Sequence, residues 1–282
     1  MIQIGFVPLA VAFGLAAFVR IIGGPERGPR LMGIAALIGF LLAYVLSEGV
    51  PGFPPGAAAQ KVFYLVLLGG AAGFALDLAG RPPQLQRTAR MIFPGLALLW
   101  LAWQQLAAGV ALGELATLAA LWGGGALVLW RLERAETQGG GLSATLMLVV
   151  GALGTAGIAT LGASPIIAAL AGSLAAATGG LALWGYCIWL IKAARGPFGA
   201  TALLGGGGAL LGLAYTLALV SPQVSRAALA VLVLVFFADM AAGRIRLGNS
   251  LHSRAMGPAL FAALAALPAL AALGVATAMS GL

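Results

Sequence analysis

Ten apolar runs of roughly twenty residues follow one another along the chain, separated by short polar breaks. They cover approximately residues 2–22, 31–47, 62–80, 90–106, 112–131, 143–162, 165–191, 199–220, 226–243 and 257–280. A helix needs about 20 apolar residues to cross a ~30 Å hydrocarbon core. Inside that core the backbone must satisfy its own polar groups, which leaves helices or closed barrels. The runs are long and do not alternate, so the pattern predicts helices. The expected fold is an all-α polytopic membrane protein, a single transmembrane domain over 1–282 with about ten transmembrane helices. Two connections, "QQLAAGVALGE" and "LGASP", are so short that the count is set between eight and ten. The first run lacks a basic amino-terminal region and a cleavage site, so it reads as a transmembrane helix rather than a signal peptide.

Composition agrees with this pattern. Of 282 residues, 62% are apolar and 8% charged, and the mean hydropathy is +1.07. Soluble domains carry about 25% charged residues, so a soluble fold is excluded. The net charge of +8 comes from basic residues scattered in short clusters between runs. That distribution reads as topology and not as a nucleic-acid surface. Thirteen of the fifteen Lys and Arg residues fall after odd-numbered spans, leaving only Lys61 and Arg226 on the other side. The positive-inside rule then predicts both termini outside, in a plasma membrane of bacterial inner-membrane type. Tyr44, Trp100, Trp103 and Tyr215 near outer ends, with Trp130 and Trp189 near inner ends, suit interfacial belts.

The chain also carries a candidate internal repeat. Spans one to four and seven to ten show the same order of landmarks: a basic residue, Gly-Pro, Ala-Tyr, then an aspartate shortly before arginine, then Arg, Met and Pro. The repeat units are 1–106 and 165–282, joined by spans at 112–162. An offset of six spans preserves direction, so such copies would form a parallel repeat.

Candidate chemistry is sparse. With one cysteine, Cys187, and one histidine, His252, no disulfide, metal site or haem site is expected, and no cofactor is implied. Catalytic signatures such as His-Glu-x-x-His or Gly-x-Ser-x-Gly are missing, so an enzyme is disfavoured. Asp77 in "GFALDLAGR" and Asp239 in "VFFADMAAGR" stand out as acids a turn inside the inner boundary, where an ionisable group is costly. Arg81 and Arg244 are their candidate charge partners at i,i+4 and i,i+5. In matched positions of two repeats the aspartates could instead form an ion- or proton-coupling pair. Glu48, Gln104, Gln105 and Glu114 sit at outer helix ends and mark a candidate outer vestibule. Gly69 with Gly73, and Gly208 with Gly212, read as close-packing faces. The glycine runs of spans five and eight are the candidates for an irregular helix.

These features point to a transporter or channel for a small solute or ion. The alternatives are a noncatalytic membrane subunit or assembly scaffold and a lipid-modifying enzyme. The expected partners are membrane lipids, an unknown small solute or ion, and a second copy or another membrane protein.

Overall fold

The computed structural model describes residues 2–80, 83–107, 109, 112–139, 141–192, 198–221, 223–243 and 251–280. It is about 90% helical, and the described residues contain no strand. The helices are α1 (Ile2–Leu31), α2 (Gly33–Glu48), α3 (Ala58–Leu78), α4 (Pro83–Ala107), α5 (Leu112–Gly139), α6 (Leu142–Leu161) and α7 (Pro165–Lys192). A π-helical turn (Ala202–Gly206) leads into α8 (Gly207–Val220). Then α9 (Arg226–Leu232), a 3₁₀ stretch (Val233–Phe237) and α10 (Ala238–Ala242) form one interrupted segment before α11 (Leu251–Ser280).

Among the described residues eight helical segments are long and apolar enough to cross a membrane, which makes the chain a multi-pass membrane protein. The two expected spans outside that set have physical reasons for it. α4 starts with the polar stretch "PQLQRTAR", seven residues before the expected 90, and is strongly amphipathic. The segment 226–243 is broken by its 3₁₀ stretch, so no single helix there is long enough.

Breaks elsewhere follow local sequence. α1 bends at Gly24, whose φ of 64° and ψ of −168° suit a residue without Cβ. The Arg20 guanidinium donates to the Gly24 carbonyl and takes up a backbone acceptor freed by the bend. The proline-rich loop after α2 is tied down: the Tyr64 hydroxyl donates to the Pro51 carbonyl at 2.8 Å and the Tyr44 hydroxyl to Ala59 at 3.2 Å. Between α6 and α7 the chain reverses through Ala163 (φ 52°), and the Ser164 amide closes the turn onto the Ala159 carbonyl.

Burial identifies the centre of the bundle. The segment Ala202–Val220 is 83% buried, against 17% for Gly5–Gly24 and 28% for Met256–Met279. With the π turn at its start it packs against α2, α3, α4, α5, α6 and α7. Glycine makes this possible. A Cβ on Gly69 or Gly73 of α3 would run into the carbonyls of Leu204 and Ala200, so the two backbones touch. Gly208 likewise receives the Phe93 ring of α4, whereas Gly212 makes only ordinary contact with Val62. Of the two glycine-rich spans, only the eighth is irregular. The "WGGGA" run of α5 stays α-helical, and its Gly125 leaves room for the Tyr215 ring.

Candidate functional site

Asp77 and the start of segment eight form the first polar cluster inside the bundle. The first amides of a helix lack intrahelical acceptors, and burying them unpaired is costly. Here Ala200 N–H donates to Asp77 Oδ1 at 2.9 Å, and Thr201 donates to Oδ2 through its amide at 2.9 Å and its hydroxyl at 2.7 Å. Asp77 is 6% exposed, so it caps from α3 a helix start that its own sequence, "FGATALL", does not cap. Its negative charge also faces the positive end of that helix's dipole. Gly199 enables the approach: a Cβ there would collide with the Arg30 carbonyl and come within 2.7 Å of Asp77 Oδ2. A small cavity of about 230 Å³ lies beside this cap, lined by Arg27, Arg30, Leu31, Asp77, Leu78 and Gly80. The expected partner Arg81 lies outside the described residues.

Asp239 is built into a different network. Its Oδ1 accepts from Arg131 Nη2, and Arg131 Nε donates to the Phe236 carbonyl at 2.9 Å. Phe236 is the penultimate residue of the 3₁₀ stretch, and the next residue, Phe237 (φ −110°, ψ 6°), leaves helical geometry. Arg131 therefore claims a carbonyl that the interruption sets free, and it stacks 4.6 Å from the Phe237 ring centroid. Arg131 is 3% exposed, and its guanidinium joins α5 to the C-terminal end of the break and the start of α10. Arg244, the partner expected from spacing, lies outside the described residues. Nearby on α5, Glu133 pairs with Arg90 of α4 and ties the two helices together.

The structure thus ties the two aspartates to different elements, Asp77 to the start of segment eight and Asp239 to α5. Sequence reasoning missed Arg131, yet one signal was available. Charge topology puts Arg131 and Asp239 at the inner ends of spans five and nine, at one depth.

The four expected vestibule residues lie at three helix ends, those of α2, α4 and α5. Glu48 closes α2 and Glu114 sits in the first turn of α5, both exposed. Gln104 is exposed, and Gln105 Nε2 donates to the Leu219 carbonyl at 3.2 Å, joining α4 to α8. A cavity of about 740 Å³ with a mixed polar and apolar wall lies in the connection from α8 to α9, around Ser221, Gln223, Ser225 and Arg226. It meets at Arg226 an apolar cavity of about 340 Å³ between α5, α6, α8 and α9. Among the described residues no group of three His, Cys, Asp or Glu side chains could hold a metal ion. No protein-family model matches this chain, and no curated protein is similar to it in sequence.

Proposed function

We propose that this protein is a transporter for a small solute or ion, in a plasma membrane of bacterial inner-membrane type, with both termini outside. Its moving part is the first half of segment eight, Phe198–Gly206. What supports this reading is one observation: the most buried helix of the bundle opens into a π-helical turn directly after a start capped by a carboxylate from another helix. π turns inside helices recur at functional sites, and half-helix ends at membrane depth are used by transporters to hold ions and solutes.

In this reading Asp77 and Asp239 act as two coupling points. A cation or proton reaching Asp77 competes with the amides of Ala200 and Thr201 and loosens the start of segment eight. One reaching Asp239 frees Arg131 and, with it, the Phe236 carbonyl that closes the break between α9 and α10.

A second reading, a noncatalytic scaffold subunit, is favoured by the fact that both carboxylates already carry structural bonds. Purified protein in proteoliposomes with an entrapped pH dye separates the two. Under an imposed pH gradient, the transport reading expects at least one solute in a small-molecule panel to drive proton movement that Asp239→Asn abolishes. A panel without any solute-dependent signal, together with stoichiometric comigration of a partner protein, rejects it in favour of the scaffold.

A further inference from the structure

The apolar cavity behind Arg226 is separate from the Asp77 network and meets the Asp239 network only at Phe236. Its wall is almost wholly apolar and includes Leu210, Leu211, Leu229, Leu232, Val233 and Phe236. Its hydroxyls are already committed: Thr117 Oγ1 donates to the Gly113 carbonyl at 3.0 Å, Thr155 Oγ1 to the Gly151 carbonyl at 2.8 Å and the Tyr215 hydroxyl to the Leu121 carbonyl at 3.1 Å. Among the described residues, Arg226 is the one charged side chain on its wall, and no hydrogen bond or ion pair engages that guanidinium. Arg226 also lines the neighbouring cavity, whose wall is the more polar of the two through Ser221, Gln223 and Ser225. An apolar chamber thus leads, past one free cation, to a more polar mouth.

We infer that this cavity is a binding site for a single-chain amphiphile with an anionic head, its chain lying between α5, α8 and α9 and its head on Arg226. The chamber wall offers dispersion contacts and removal of apolar surface from water, but no free donor to a polar body. The guanidinium offers a forked, permanently charged donor suited to a carboxylate or phosphate. A volume of about 340 Å³ lies at the small end of the ~300–1,000 Å³ range of ligand pockets, which suits one chain and not two. Gly124 fits the same picture: a Cβ built on it meets nothing within 4 Å, so its face of α5 leaves the chamber open. The inference stands apart from the transport reading, since a scaffold could hold such a ligand equally well.

Native mass spectrometry of the full chain in a neutral detergent tests it, with dodecanoate as the probe and dodecyltrimethylammonium as its charge-reversed counterpart. The site takes up one dodecanoate per chain, saturably, and the cationic amphiphile binds at least tenfold more weakly. Arg226→Gln, at an exposed position, weakens dodecanoate by about tenfold or more, the loss of one charged hydrogen bond. Gly124→Leu, which fills the chamber, abolishes binding while a thermal melt reports whether the variant folds. Equal binding of the two amphiphiles, or wild-type affinity in Arg226→Gln, overturns the inference even if Gly124→Leu fails to fold.

Discussion

Arg131 and Asp239 make a pair whose removal can be worked out from its surroundings. Their side chains are 4% and 16% exposed, so water screens the pair little. Arg131→Met leaves Asp239 as a largely buried charge and the Phe236 carbonyl without its donor, a loss of about 3–5 kcal/mol. Asp239→Leu leaves Arg131 with the Phe236 carbonyl and the Phe237 ring, so its loss falls at the lower end of that range. The double variant removes both charges at once. Replacing a buried ion pair by apolar side chains is often neutral, so the double variant should cost much less than the sum of the singles, and little more than the orphaned Phe236 carbonyl, about 1–3 kcal/mol. Equilibrium unfolding of the four proteins in mixed micelles, titrated with a denaturing detergent, gives the cycle. Additive losses in the double variant would refute the pairing and point to Arg244 as the partner of Asp239, which the same cycle on those two residues then tests.

Three further outcomes follow from the packing and the topology. Asp77→Ala strands three donors at the start of segment eight, at about 1–3 kcal/mol for each one left unsatisfied; Asp77→Asn, which keeps one acceptor oxygen, loses less, and the same unfolding assay ranks them. Gly73→Ala drives a methyl into the Ala200 backbone and costs at least the ~1–3 kcal/mol typical of overpacking, whereas Gly172→Ala on α7, which meets open space, leaves stability close to wild type. With Cys187 replaced by Ala, a cysteine at Gln223 reacts with a membrane-impermeant maleimide added outside whole cells, and one at Thr137 reacts only after the membrane is opened; the reverse pattern inverts the proposed orientation.

Most of the helices were legible because bilayer thickness and backbone satisfaction leave little choice. Span 143–162 became α6 at Leu142–Leu161 and 165–191 became α7 at Pro165–Lys192, each within a residue or so. The bend at Gly24 was announced by Gly-Pro. The interruption at Val233–Phe237 was not, because "VLVFF" is uniformly apolar and carries no breaker. What opens that helix is tertiary: Arg131 arrives from 105 and 108 positions away to take the Phe236 and Asp239 oxygens. The cost of an intramembrane carboxylate singled out both aspartates, but cost does not name a partner. Local spacing pointed to Arg81 and Arg244, while for Asp77 the structure supplies backbone amides, which no residue-type pattern displays. The glycine run of segment eight did signal irregular geometry. The similar run in α5 turned out to make room for Tyr215, a packing demand set by another helix.

The claim that segment eight moves is tested most directly by hydrogen–deuterium exchange of the protein in nanodiscs, comparing the peptide over Phe198–Leu211 with that over α6. Burial alone makes segment eight the slower, since 83% of it is buried against 61% of α6. A moving segment reverses that order: its π turn opens in sub-global fluctuations and exchanges faster than α6, faster still in Asp77→Asn. Exchange in Phe198–Leu211 as slow as or slower than in α6, unchanged by Asp77→Asn, would mean a rigid central post and contradict the account.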